Sequence, residues 1–209
     1  GLRLSYDGYY GIQGVASMPN AVGPRDYLSL INEGLINAGL DPRYTQGYID
    51  STVMGLNGNP GVDQTLYPWT DWIDVLYDPA PIMDHTVGIS GGKELARFNL
   101  SLNYFDQEGM LPTTAADRVG MRMNSDFTLT DKLTAGVDLA LRRNWYVESN
   151  NQGDVYFRAF HDTPPTVTAQ YPDGTYGCSR NNHNPLAYAR EWGTVERTTL
   201  SGTINGKPD

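Results

Sequence analysis

The sequence predicts an all-β fold with helical loop insertions, a partial antiparallel up-and-down meander of about six strands of the kind that makes a transmembrane β-barrel. Three observations predict it. Segments near 2–13, 82–90, 95–105, 118–129, 133–145 and 195–204 alternate apolar and polar residues with the two-residue period of a strand. Short and long connections alternate between them, so an up-and-down path gathers the long ones, 14–81, 106–117 and 146–194, at one end. Aromatic residues collect where strands meet those loops, at Tyr9 and Tyr10, Tyr104 and Phe105, and Trp145 and Tyr146, as in an interfacial girdle. Alternation alone also fits a soluble sandwich with one face packed and one wet. The combination of one-sided loops, rim aromatics and strand length favours the barrel.

In chain order, the first strand sets Leu2, Leu4, Tyr6, Tyr10 and Ile12 against Arg3, Ser5, Asp7 and Gln13. The second sets His85, Val87 and Ile89 against Asp84, Thr86, Gly88 and Ser90. Gly91-Gly92-Lys93-Glu94 reads as a hairpin turn in which glycine supplies positive φ. The third strand alternates most cleanly, with Ala96, Phe98, Leu100, Leu102 and Tyr104 opposed to Arg97, Asn99, Ser101 and Asn103. The fourth opposes Val119, Met121, Met123, Phe127 and Leu129 to Arg122, Asn124, Asp126 and Thr128, and turns through Thr130-Asp131-Lys132. The fifth opposes Leu133, Ala135, Val137, Leu139 and Leu141 to Thr134, Gly136, Asp138 and Arg142. The sixth carries Thr198, Leu200, Gly202 and Ile204 on one side, and Asn205 to Asp209 reads as a turn.

Helices interrupt the long connections. Pro24 and Gly39 bracket one over 25–38, with Leu28, Ile31 and Leu35 on one side. Asn32, Glu33 and Asn37 fall among these positions, so that helix is expected to be half covered. A second is expected over 47–54, and a third, capped by Thr70 and stopped before Pro79, carries Trp69, Trp72, Ile73 and Leu76. The last long connection holds a helical turn over 154–160, Thr163-Pro164-Pro165-Thr166, a Tyr171-Pro172-Asp173-Gly174 turn, and Asn184-Pro185 opening a helix to Arg190.

Composition narrows the function classes. A net charge of −9 argues against sequence-independent nucleic-acid binding, which needs a basic surface. The single cysteine, Cys178, excludes an internal disulfide framework. With 39% hydrophobic residues and a mean hydropathy of −0.46, no run approaches the roughly 20 apolar residues of a membrane helix. Gly1 opens directly into a strand with no visible signal peptide, so the chain is expected to be a piece of something longer. His85, His161 and His183 lack metal-ligand spacing. Glu148, Asn150, Asn151 and Asp154 supply loop oxygens without an EF-hand pattern, and a solvated loop is the simpler reading. Phosphate-cradling and G-x-S-x-G motifs are absent. No catalytic residue, resident metal or cofactor is expected.

Tyr67-Pro68-Trp69-Thr70-Asp71-Trp72, then His85-Thr86-Val87-Gly88-Ile89-Ser90-Gly91-Gly92, then the run from Phe98 to Gly109 (FNLSLNYFDQEG) resemble the start of the barrel in SusC/RagA-like TonB-dependent transporters. Thr163-Pro164-Pro165, Tyr171-Pro172-Asp173-Gly174 and Asn184-Pro185 follow in the order expected of that family's third long loop. The resemblance covers essentially the whole chain.

It implies a cell outer-membrane importer of Bacteroidetes type, in contact with outer-membrane lipid, whose barrel of about 22 strands is filled by a plug. It further implies a SusD-like surface lipoprotein as lid, a TonB complex acting through parts not seen in this sequence, and an oligosaccharide or peptide as substrate. The signal peptide, TonB-contacting segment and plug of the family are not visible. Arg97, Asn99, Asn103, Arg122, Asn124, Asp126, Asp138 and Arg142 would face the lumen or plug, or else satisfy neighbouring strands. Trp69, Trp72, Tyr171 and Tyr176 would offer stacking faces to sugar rings, or else hold the loops together. The other classes are a soluble carbohydrate-binding β-domain, and a carbohydrate-active enzyme, for which the sequence nominates no carboxylate pair.

Overall fold

The structure is a computed structural model that describes every residue except 19, 20, 131, 132, 150, 151, 180, 182, 192 and 209, with the backbone alone at 152, 154, 156, 160 and 206–208. The chain forms two compact units, one of Gly1–Gly14, Asp78–Asn150 and Gly193–Asp209, the other of Val15–Tyr77 and Asn151–Trp192.

The first unit is a single open sheet of six strands, β1 (Arg3–Gln13), β2 (Ala80–Lys93), β3 (Ala96–Glu108), β4 (Ala115–Thr130), β5 (Leu133–Ser149) and β6 (Thr194–Pro208), paired in sequence order. Every neighbouring pair is antiparallel. The register follows from the alternation, because a one-residue slip would send a whole strand's apolar set to the opposite face. One apolar row crosses the sheet through Leu4, Ile89, Leu100, Met123, Leu139 and Ile204, and the next through Tyr6, Val87, Leu102, Met121, Leu141 and Gly202.

Several strands outrun their expected spans. β2 continues through Gly91 and Gly92 to Lys93, and the hairpin turns at Glu94 and Leu95 instead. Neither glycine has positive φ. Gly92 serves close approach: a Cβ there would lie 2.5 Å from the Ala96 carbonyl oxygen and 2.7 Å from Arg97 Cα. At the other end β6 extends to Pro208 where a turn is expected, carried by its pairing with β5. Of the turn expected at Thr130-Asp131-Lys132, residues 131 and 132 lie outside the described residues.

The second unit holds α1 (Pro24–Asn37), α2 (Gln46–Leu56), α3 (Trp72–Leu76), α4 (Gln152–His161) and α5 (Pro185–Glu191). Proline opens α1, and Gly39, at φ +74°, closes it: Gly39 N–H donates to Ile36 O and Leu40 N–H to Leu35 O, the double bond of a Schellman end. Asn32 can sit among the apolar positions of α1 because its amide pairs both ways with the Tyr44 backbone, at 2.7 and 2.9 Å. The cap of α3 is Asp71, whose carboxylate accepts from Ile73 and Asp74 N–H, and not Thr70. Leu28, Ile49, Trp72, Leu76, Val155, Leu186 and Tyr188 are buried and form this unit's core. Among the described residues no helix is long and apolar enough to cross a membrane.

Candidate functional site

The two faces of the sheet differ in what they offer. On the apolar face Leu4 is 70% exposed, Phe98 41%, Leu102 43% and Ile204 74%. Among the described residues no second layer of the sheet unit covers them. Along β3 this surface runs from Ala96 to Tyr104, about 27 Å of strand, or about 20 Å of height at a tilt near 40°.

Carboxylates end the apolar surface: Asp106 and Asp117 face each other across β3 and β4, in one row with Tyr10 and Trp145. The two-residue period splits each expected rim pair. Tyr10, Tyr104 and Trp145 lie on the apolar face, and Tyr9, Phe105 and Tyr146 on the other. Half of the expected girdle therefore points away from the apolar surface.

His85 lies on the apolar face, where Tyr6 provides for it. The Tyr6 hydroxyl and His85 Nδ1 share a hydrogen bond of 2.8 Å, and their rings lie 6.0 Å apart and nearly parallel. Gly8 makes the room, since a Cβ there would stand 2.6 Å from both atoms.

The opposite face is polar in every strand, and the register brings Arg97, Asn99, Asn103, Arg122, Asn124, Asp126, Asp138 and Arg142 onto it together. Its central network was not anticipated. Arg118 donates to the Asp84 carboxylate at 3.0 Å and to Asn103 Oδ1 at 3.2 Å, with its guanidinium 4.7 Å from the Phe105 ring centre. Asn103 Nδ2 donates to Asp84 Oδ1 at 2.6 Å and to Thr86 Oγ1 at 3.0 Å. Further along, Asn124 Nδ2 donates to Asp138 Oδ1 at 2.6 Å. Beside the Arg118 network is a hollow of about 450 Å³ around Gly120. The signal for Arg118 was its spacing of four residues from Arg122, which puts both on one face of the strand expected over 118–129.

In the loop unit the four stacking candidates separate. Trp72 is 5% exposed and donates from Nε1 to Pro164 O at 3.3 Å, so of the two roles expected of it, it takes the one of holding the loops together. Trp69 is half-buried, edge-on to Tyr27 at 5.8 Å. Tyr171 and Tyr176 flank a turn closed by Gly174 N–H to Tyr171 O at 2.9 Å. The Tyr176 hydroxyl donates to Glu191 at 3.0 Å; burial and then that carboxylate raise its phenol above the ordinary value.

A further aromatic cluster was missed. Tyr44 stacks on Tyr48 at 5.1 Å, and Tyr48 meets Tyr67 at 5.3 Å. Burial and then the neighbouring Tyr44 raise the Tyr48 phenol. Tyr44 and Tyr48 stand four residues apart around the start of α2, a spacing that could have drawn notice, while Tyr67 joins them from a separate stretch.

Among the described residues no three metal-ligating side chains gather. Of the loop-oxygen group weighed for calcium, Asn150, Asn151 and the Asp154 side chain lie outside the described residues.

No family model matches the chain. TonB-dependent receptor P26 of Formosa agariphila is 38% identical over 115 residues, which is 54% of this chain and 11% of that protein. The chain resembles a segment of a SusC/RagA-like TonB-dependent receptor. TonB-dependent receptor P3 of the same organism is 26% identical over 168 residues, covering 75% of this chain and 16% of that protein. The chain thus spans only 11% and 16% of the lengths of these receptors.

Among solved structures, the RagAB peptide importer in its closed-closed state aligns over 99% of this chain and 26% of its own, with a TM-score of 0.61 and 19% identity. The RagAB peptide transporter aligns over 70% of this chain and 18% of its own, with a TM-score of 0.52 and 21% identity. At such identities these likenesses bear on the fold: the open meander corresponds to part of a transporter barrel.

Proposed function

We propose that this chain is part of an outer-membrane active transporter that imports oligosaccharides or peptides, is energised by TonB and works with a SusD-like lipoprotein. The observation that carries the reading is the predominantly apolar face that crosses all six strands, left uncovered while the other face holds the polar network. In a bilayer only closed strands or helices satisfy the backbone, so lipid-exposed strands demand a barrel that continues beyond β1 and β6. Similarity to the two receptors supports the TonB-dependent class. The likeness in fold to a peptide importer supports import and makes peptide one candidate cargo; the lipoprotein lid and the oligosaccharide alternative rest on the family resemblance of the sequence. A soluble sugar-binding domain would require a second layer over Phe98 and Leu102.

The test uses the intact receptor in a background where the exposed Cys178 is serine. Single cysteines replace Leu102 or Asn99, and each is offered a lipophilic or a water-borne thiol reagent in native membranes. Labelling of Leu102→Cys by the lipophilic reagent alone, and of Asn99→Cys by the water-borne one, is the expected outcome. Equal labelling of both by the water-borne reagent would sink the membrane reading. Uptake of labelled peptide and oligosaccharide, with and without a working TonB system, then decides the substrate class.

A further inference from the structure

Gly120 stands directly across from Arg142, and Arg118 and Arg122 lie two residues to either side of it on β4. Antiparallel diagonals of this kind place Cα atoms roughly 7–8 Å apart, so three arginines flank a position with no side chain, and all three line the hollow above it. The resulting hollow of about 450 Å³ falls within the roughly 300–1,000 Å³ of small-molecule sites.

The three arginines are not equivalent. Arg118 is committed to Asp84, Asn103 and the face of Phe105. Arg122 and Arg142 are exposed, and among the described residues neither has an ion pair or a hydrogen bond from its side chain. Two cations without an ion pair share one concavity and favour an anion between them, although Asp138 stands diagonal to Arg122 on the same face.

Hydroxyls complete the lining in the same two rows. Thr86 and Ser201 lie in the row of Arg142, and Ser101 and Thr203 in the row of Arg122. Each hydroxyl both donates and accepts, which suits a ligand that is itself hydroxylated.

The geometry points to a seat for one acidic sugar unit over Gly120, its carboxylate held between Arg122 and Arg142 and its hydroxyls met by the Ser and Thr side chains. This rests on the transporter reading for the source of its ligand and deepens it: the polar face selects anionic, hydroxylated solutes. The competing occupant is an acidic side chain of the protein itself.

The test is calorimetric titration of the intact receptor in detergent with a disaccharide bearing one hexuronate and with its neutral hexose counterpart. Arg122→Gln and Arg142→Gln should each weaken the acidic probe by about 10- to 100-fold, the cost of a lost hydrogen bond to a charged group, and leave the neutral probe unchanged. Gly120→Val keeps both arginines but fills the hollow, and should do the same. Added salt should weaken only the acidic probe.

The inference is overturned if wild type binds both probes equally, if the variants weaken both alike, or if acidic binding persists while thermal stability falls, which would mean pairing within the protein. Failure of the transport reading looks different: no solute is taken up by cells, yet the acidic probe still distinguishes wild type from the arginine variants.

Discussion

Replacing Leu102 by arginine tests the solvent of the apolar face directly. Leu102 is 43% exposed, and its cross-strand neighbours are Val87 and Met121. It lies two residues above Leu100, the middle of the Ala96–Tyr104 run, hence about 5 Å from the midplane along a tilted strand. A lipid-facing arginine costs about 2–4 kcal/mol at the midplane and about 0–1 kcal/mol at the interface, so about 2 kcal/mol is expected here. In water the same exposed site would tolerate arginine to within about 0.5 kcal/mol. Asn99→Arg, on the opposite face of the same strand, is the control and should stay within that smaller figure. The assay is urea titration of the intact receptor in lipid vesicles, followed by tryptophan fluorescence, with the slope checked for constancy. If Leu102→Arg costs no more than Asn99→Arg, the apolar face does not meet lipid.

Three further outcomes follow from the geometry. Asn184 is 3% exposed; its Nδ2 donates to Ala169 O and Gly177 O at 2.8 Å each, while its Oδ1 caps α5 by accepting from Ala187 N–H. Asn184→Asp keeps the cap but turns an oxygen toward two carbonyls, at about 1–3 kcal/mol for each buried acceptor left unpaired. Hydrogen exchange should therefore quicken across 168–177 but not at the start of α5, and unchanged exchange in both would contradict the tether. Gly92→Ala should destabilise the β2–β3 hairpin by about 1–3 kcal/mol, read by urea titration, because the intruding Cβ meets backbone that cannot rotate away.

Asp173 concerns pH. Its carboxyl is held below the ordinary value of 3.8, first by the Thr175 hydroxyl and then by the Thr175 backbone N–H. A depressed folded value stabilises the turn above pH 3.8 and loses that contribution as pH falls below it through the lowered value. Protection of the Thr175 amide should follow that fall in the wild type and show no such step in Asp173→Asn.

The meander was legible because alternation is a local property: Ala96 to Tyr104 sort themselves onto one face whatever lies beside them. The strand ends were not, since Asp117 and Gln107 look like loop in isolation and become strand only through pairing with the neighbouring strand. Arg118 fell within the expected 118–129 strand, but its partners Asp84 and Asn103 come from two other strands, so nothing local marked it as the centre of the polar network. The two tryptophans show the same limit. Their spacing suggested one helix face, but Asp71 caps two N–H groups and starts α3 after Trp69, while the burial of Trp72 depends on Pro164, far along the chain. The hairpin glycines were identified correctly as special and given the wrong reason: what Gly92 provides is absence of volume, and φ has no part in it.

The latch between the two inserted segments bears on exchange between relatives. Thr70 N–H donates to Pro165 O and its hydroxyl to Val167 O, both at 2.7 Å, and Trp72 donates to Pro164 O. Segments 15–77 and 151–192 therefore behave as a lock and its bolt, cut from distant parts of one reading frame. A chimera that imports either one from a relative inherits half a fastening. Only paired transplantation, both insertions moved together onto a foreign meander, carries the latch across intact.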